Sequence, residues 1–240
     1  MKSLSELIKE YEDSGKYFLE NKKPVIVRLD GRGFTKFTKK MNFDFPYSYV
    51  FNKIMNNVAI HLCKNMECCV FATRHSDEIS LFLYDDRRDE SQPCFGNSIN
   101  KILSLSASMA TGKMISELLL HFNSDLVMQN IPQIDSRCFN VPIEDVIKYF
   151  VSRKIDAERN HISSWARSRS SHNELLNMNS SEKKNLLLHK HGINFDEFSN
   201  NVKYGFMFFK DELGWVTKNI PERFEEEFFK NLMKKNGEII

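Results

Sequence analysis

The sequence predicts an α+β fold built on an antiparallel sheet, and three observations carry that prediction. Short β-rich runs alternate with longer amphipathic stretches in the order β-α-β-β-α-β as far as Pro142. The second and third β-rich runs are separated only by Arg74 to Glu78, a spacing that makes them a hairpin. After Pro142 helical periodicity takes over most of the chain. This order matches the ferredoxin-like split β-α-β plan, an antiparallel sheet with helices on one face.

The elements follow in order. Residues 4–19 carry Leu4, Leu7, Ile8, Tyr11 and Phe18, a loose helical stripe with Gly15 near its end. Pro24 opens the strand Val25-Ile26-Val27-Arg28-Leu29-Asp30, which stops at the turn signal Gly31-Arg32-Gly33. Residues 47–65 place Val50, Phe51, Ile54, Met55, Val58 and Leu62 on one helical face. Strands follow at 68–73 and 79–84, then a charged loop over 85–97. The helix expected at 98–122 carries Ser104, Ala107, Ser108, Thr111 and Gly112, small enough for close approach to a sheet. Ile134 to Val141 is a strand between Pro132 and Pro142.

Beyond it, a long helix over 143–170 turns Ile147, Val151, Ile155, Ile162, Trp165 and Ala166 inward. A second helix at 181–191 ends at Gly192. Residues 203–209 and 214–218 form a hairpin, and a terminal helix carries Phe224, Phe228 and Leu232. The chain divides into a sheet core, 1–142, and a mostly helical region with a hairpin, 143–240, packed on the core as one unit.

Composition bounds the function. The 240 residues are 41% hydrophobic, too apolar for a disordered chain. No apolar run approaches the ~18–20 residues that span a bilayer, so no membrane role is expected. The N-terminus, which mixes acids, lysines and leucines, is neither a signal nor a transit peptide. Five cysteines without a C-x-x-C pair read as reduced thiols in an intracellular compartment, cytoplasmic or organellar. The net charge of +2 averages opposed segments. Residues 22–40 hold seven Lys and Arg against one acid. Residues 147–191 hold nine against four, with four of the seven histidines, whereas 192–240 are net −2. A localised positive field of this kind predicts a salt-sensitive RNA complex of modest affinity.

Chemistry concentrates where two turns meet. Asp30 ends the first strand, and Asp77 and Glu78 sit at the hairpin tip; in a split β-α-β sheet these are spatial neighbours. Carboxylates converging there suit Mg²⁺, which keeps several waters and takes substrate phosphates into its shell. Two such ions clamp the attacking and leaving oxygens of a phosphoryl displacement. Gly31-Arg32-Gly33-Phe34-Thr35 adds backbone N–H groups able to face phosphates, with Arg32, Lys36, Lys39 and Lys40 crowding the same stretch. Each piece also has a plainer reading: a turn-forming Asp, a solvated hairpin tip, a solvated basic face. His75 reads as a hairpin-tip surface residue and Trp165 as part of the apolar stripe, with stacking on RNA as its alternative role.

Arg28-Leu29-Asp30-Gly31-Arg32-Gly33-Phe34 followed by Ser76-Asp77-Glu78 resembles the signature of the tRNA-histidine guanylyltransferase family. The resemblance runs on through Phe95-Gly96, Ala107-Ser108, Asp135-Ser136-Arg137, Arg153-x-x-Asp156-x-x-x-Asn160, Gly192-Ile193-Asn194-Phe195 and Lys203-x-Gly205, from about residue 5 to about 210. It implies a polymerase-palm catalytic core and a nucleotidyltransferase that adds nucleotides in the 3′–5′ direction to a tRNA 5′ end. The 5′ phosphate is first activated with ATP, or is already a triphosphate, and GTP or another nucleoside triphosphate is added. Carried over, Asp30 and Asp77 hold two Mg²⁺ ions with the Gly31 carbonyl, and Glu78 supports them. Gly33, Phe34, Thr35 and Ser76 border the nucleotide triphosphate. Arg153, Asp156, Asn160 and Lys203 fall where the family organises tRNA contacts. Family members look like homotetramers, dimers of dimers.

The chain departs from the family pattern at four places, one of them Arg74-His75, which stands where the family often has Gln or Thr before Ser-Asp-Glu. Glu158 to Ile162 stand where the founding enzymes have a His-Ile-Asn-Asn stretch, which looks more like the branch that repairs 5′-truncated tRNA on the opposite strand as template. Phe45 and Ser98 stand where basic residues are usual. Lys39 or Lys40 is the candidate substitute for the first. Repair is therefore the expected activity. The alternatives are addition of one guanosine to tRNA-His, a palm-type cyclase acting on free nucleotides, and a non-catalytic RNA-binding module.

Overall fold

The computed structural model describes residues 2–85 and 92–235. Its centre is one six-stranded antiparallel sheet. The strands are β1 (Val25–Gly31), β2 (Cys69–His75), β3 (Glu78–Leu83), β4 (Ile134–Asn140), β5 (Phe206–Asp211) and β6 (Gly214–Asn219), in the order β4-β1-β3-β2-β5-β6. The first four form the expected split β-α-β arrangement, completed by α3 (Tyr49–Asn65) and α4 (Ile99–Leu118). The hairpin expected in the C-terminal region extends this same sheet, because β5 pairs with β2, Phe71 opposite Phe209 and Arg74 opposite Phe206.

Helices cover both faces of the sheet rather than one. Along a strand successive side chains alternate sides, so Val25, Val27 and Leu29 enter one core and Ile26 the other. The first core is closed by α3, through Ile54, Met55, Val58 and Leu62, and by α4, through Ile102, Ala110 and Met114. The second is closed by α6 (Val146–Arg167), through Val146 and Phe150, and by α9 (Glu226–Lys235), through Phe229 and Leu232. Phe71 lies in that second core in edge-on contact with Phe150 and Phe229. One sequence segment thus feeds two cores, which is why the strands read as near-continuous apolar runs.

Several expectations need correction. Gly31-Arg32-Gly33 leads directly into α2 (Phe34–Lys40), whose Phe34 and Phe37 are buried; the basic stretch after the turn is helical. A short helix, α5 (Ser124–Gln129), was also not anticipated. In α4 the small residues Ser104, Ser108 and Gly112 face outward. Close approach to the sheet is made instead by Ala110 and by Ser106, whose hydroxyl meets that of Ser136 on β4 at 2.8 Å. In α6, Ile162 and Ala166 are buried as expected, but the packed face runs through Val146, Phe150 and Ala157, which leaves Ile155 exposed. Helix α1 (Leu4–Ser14) forms, with Ser3 and Glu6 in a capping box, yet it buries none of its residues. After α7 (Ser180–His191), Gly192 takes the left-handed C-cap conformation, and the short α8 (Asn200–Lys203) leads into β5. Phe224 precedes α9 rather than lying within it. Part of the 85–97 loop, residues 86–91, lies outside the described residues, and Cys94–Asn97 is a tight turn with Phe95, Gly96 and Asn97 in the left-handed region. All five cysteines are thiols. Among the described residues no helix is long and apolar enough to cross a membrane.

Candidate active site

Strand β1 delivers Asp30 to its C-terminal end on the face that also carries Ile26, the α6 side. Asp30 is exposed and lies opposite Asp135 of β4 in the sheet register. The β2–β3 turn brings Asp77 beside it. Burial and the Asp30 charge push the Asp77 carboxyl up to about 6, against hydrogen bonds from its own backbone and from Ser76. Gly31 permits this approach: a Cβ there would lie 2.3 Å from the Phe34 ring and 2.7 Å from Oδ2 of Asp77. Any other residue would push the two turns apart.

The three sequence-derived metal positions, Asp30, Gly31 and Asp77, therefore converge. Among the described residues no group of three His, Cys, Asp or Glu side chains could hold a metal ion. Two carboxylates with a backbone carbonyl are a partial set of hard oxygen donors. That fits Mg²⁺ completed by water and phosphate better than a fully protein-built cage. The raised Asp77 carboxyl fits as well, since two facing carboxylates are a site that a cation relieves.

Glu78 sits behind this pair in a fork with Arg153 of α6. Nε of Arg153 donates to Oε1 at 2.7 Å and a terminal nitrogen to Oε2 at 2.5 Å, while the other terminal nitrogen donates to Asp156 at 2.8 Å. Arg153 and Asp156, read from the sequence as tRNA contacts, are thus tied to Glu78. Lys203 is buried and donates to the Asp196 carbonyl at 3.0 Å, with Glu222 3.6 Å away. Of the four proposed tRNA positions, only Asn160 is exposed.

A buried clamp that sequence reasoning missed holds the hairpin tip. Arg74, 1% exposed, donates to Asn56 at 2.9 Å, to Asn52 at 2.7 Å and to the Ser76 carbonyl at 3.0 Å, and lies over the Phe206 ring. Burial lowers its guanidinium to about 9. His75 is buried, not a surface tip residue: β2 turns it under α6, where Nδ1 donates to the Tyr204 carbonyl at 2.5 Å. Burial and neighbouring cations press it down to about 3, so it is neutral. His75 Nε2 and Thr73 Oγ1, two residues apart on β2, are buried without hydrogen-bond partners. Gly205, at φ 90°, would place a Cβ 2.1 Å from the Arg74 carbonyl oxygen, so only glycine lets β5 begin there. The one sequence signal for the clamp was a charged residue and a histidine ending an otherwise apolar strand.

A cavity of about 910 Å³ opens beside Asp77. Phe34, Thr35 and Ser76 border it, while Gly33 does not. α6 contributes His161, Trp165 and Arg167. Phe45 lines it where the family pattern has a base, and so does Lys39, though not Lys40. Ser98 is buried at the start of α4, bridged to Phe18. A cavity of this size, with the Asp77 carboxylate at one side, Asp30 and Gly31 next to it but outside the lining, and cations and aromatic rings around it, suits a polyanion carrying a base.

The family model for tRNA-His guanylyltransferase matches residues 5–142. A tRNA(His) guanylyltransferase of Debaryomyces hansenii is 31% identical over 216 residues, 85% of this chain and 79% of that protein. A bacterial tRNA(His) guanylyltransferase (Thg1)-like protein in complex with ATP superposes with a TM-score of 0.84 at 27% identity, covering 90% of this chain and 92% of the other. The fold is shared as well with a bacterial Thg1-like protein in complex with GTP, at TM-score 0.76 and 24% identity over 91% and 93% of the two chains. With the palm-like sheet and the converging turns, these matches show that the chain belongs to the tRNA-His guanylyltransferase family of nucleotidyltransferases.

Proposed function

We propose that this protein is a Mg²⁺-dependent 3′–5′ nucleotidyltransferase that rebuilds truncated tRNA 5′ ends on the opposite strand as template. The observation that carries it is the convergence of Asp30, Gly31 and Asp77 beside a cavity large enough for a nucleotide and an RNA terminus. The 3′-hydroxyl of the incoming nucleotide attacks the activated 5′ phosphorus, the new P–O bond forms, and pyrophosphate or AMP leaves. Mg²⁺, when bound, neutralises charge on the phosphates and lowers the cost of deprotonating the hydroxyl. Asp30 and Asp77 would hold it with the Gly31 carbonyl.

Thr35, Phe34 and Ser76 shape the wall along the triphosphate, and Gly33 sets the entry of α2. Glu78 acts through Arg153, orienting α6 against the hairpin. Asn160 is the exposed position of the set proposed to meet tRNA, with Arg153, Asp156 and Lys203 organising it from beneath. Lys39 takes the place of the basic residue absent at Phe45.

Addition of one guanosine to tRNA-His is the second reading, favoured by the names of the relatives. A 5′-extension assay separates the two. tRNAs of several species lacking their first nucleotide, and intact tRNA-His, would be offered with mono- or triphosphate ends. Repair predicts extension of truncated tRNAs from several species, lost in Asp30→Ala and Asp77→Ala. Extension of intact tRNA-His alone would overturn it. We further propose a homotetramer, supported by α1, whose Leu4, Leu7, Ile8 and Tyr11 are exposed on a capped helix. The five thiols fit a reducing intracellular compartment, cytoplasmic or organellar.

A further inference from the structure

The wall of the cavity contributed by α6 holds one large flat ring. Trp165 is half-buried and borders the same space as Ser76 and Asp77. Its indole packs on Phe198, ring centroids 4.6 Å apart, and Phe198 packs in turn on the buried Phe195 at 5.4 Å. The ring is therefore backed on one side by the C-terminal region while the rest of it borders the cavity. Two residues further on, Arg167 borders the cavity too, steadied by a 3.1 Å hydrogen bond from its guanidinium to Ser164. A braced aromatic plane beside a guanidinium is the composition with which proteins hold single-stranded nucleic acid, the ring meeting the base and the cation the phosphate. Neither an indole needed only for the core nor one left on the surface would be both braced and open to a cavity.

We propose that Trp165 is a stacking platform for a nucleobase in the active-site cavity, and that Arg167 holds the phosphate attached to that base. The ligand is a nucleotide base, supplied by the incoming nucleoside triphosphate or by the terminal nucleotide of the RNA. This inference rests on the nucleotidyltransferase reading, but its test reads binding rather than turnover.

The chain has two tryptophans, Trp165 and Trp215, the latter on β6. The Trp215→Phe variant makes Trp165 the sole indole emitter. It would be titrated with a non-hydrolysable GTP analogue, with a 5′-triphosphorylated tRNA lacking its first nucleotide, and with inorganic tripolyphosphate. Quenching by a base-bearing ligand and none by tripolyphosphate is expected; which base-bearing ligand quenches identifies the source of the base. Replacing Trp165 by Leu, which keeps bulk and apolarity, should weaken binding of that ligand about tenfold or more, and Trp165→Phe should restore most of it. If tripolyphosphate quenches equally, or if Trp165→Leu binds as tightly as the parent, the stacking role is wrong while nucleotide binding stands. If neither nucleotide nor RNA binds the parent protein by calorimetry, the nucleotidyltransferase reading falls and this inference with it.

Discussion

Replacing Asp77 by Asn should make the metal-free protein more stable at neutral pH while abolishing nucleotide addition. The folded carboxyl titrates at about 6, raised from 3.8 by burial first and by Asp30 second. A carboxyl whose folded value lies above its unfolded one binds the extra proton in the folded state, so stability falls as pH rises through the window between the two. That window runs from about 4 to 6, and the full cost, present above it, is about 3 kcal/mol at 1.36 kcal/mol per unit. Allowing for water that reaches the half-buried group, about 2 kcal/mol is the expected gain, or roughly 4–8 °C in melting temperature for a chain of this length. The assay is thermal unfolding in chelator at pH 7 and at pH 4. The gain should appear at pH 7 and shrink to well under 1 kcal/mol at pH 4, where the wild-type carboxyl is protonated when folded. Adding Mg²⁺ at pH 7 should reverse the order, raising the wild type alone. A gain equal at both pH values, or none at pH 7, would refute the argument that two facing carboxylates are held at the expense of fold stability.

Other outcomes follow from the clamp behind the site. Arg153→Lys should not substitute, because one ammonium cannot reproduce the two parallel bonds to Glu78; a loss of about 2 kcal/mol in denaturant unfolding is expected. His75→Asn, whose amide donor takes the place of Nδ1, should retain the Tyr204 bond and most of the activity, whereas His75→Phe should lower kcat and raise the Mg²⁺ concentration needed for half activity, read by titrating the metal. Gly205→Ala should destabilise by more than about 3 kcal/mol or fail to accumulate, since its new carbon meets a carbonyl oxygen of the neighbouring strand; normal melting would contradict the close approach. Leu7→Glu with Ile8→Glu should leave the far-UV circular dichroism unchanged, because no residue of α1 is buried within one chain, and should lower the assembly mass in light scattering.

The strands and their pairing were legible because burial on both sides makes them dense in Val, Ile, Leu and Phe, and because five residues between two such runs allow only a hairpin. Asp30 and Asp77 were legible for the same reason: topology alone brings those two turns together. What lay beyond the sequence was the choice among competing apolar stripes. In α6, Ile147, Val151 and Ile155 form one stripe and Val146, Phe150 and Ala157 another, and only packing against Phe71 selects the second. Arg74 and His75 escaped because charged and imidazole groups are ordinarily read as surface residues. Their burial depends on Asn52, Asn56 and Tyr204, partners 18 to 129 positions away along the chain.

The placement of β2 between β3 and β5 has a consequence for how this chain can be divided. Cutting it after Pro142 would strip β5 and α9 from β2 and α6 from the sheet. The remaining β2 would become an open edge presenting Cys69 to His75 with unpaired backbone groups, and Ile26, Phe71 and Phe82 would face water. A segment so rich in β-forming residues and exposed along its whole length is a template for aggregation. The half that bears Asp30 and Asp77 is for this reason not a self-sufficient folding unit: the region after Pro142 covers the strand that leads into the Asp77 turn.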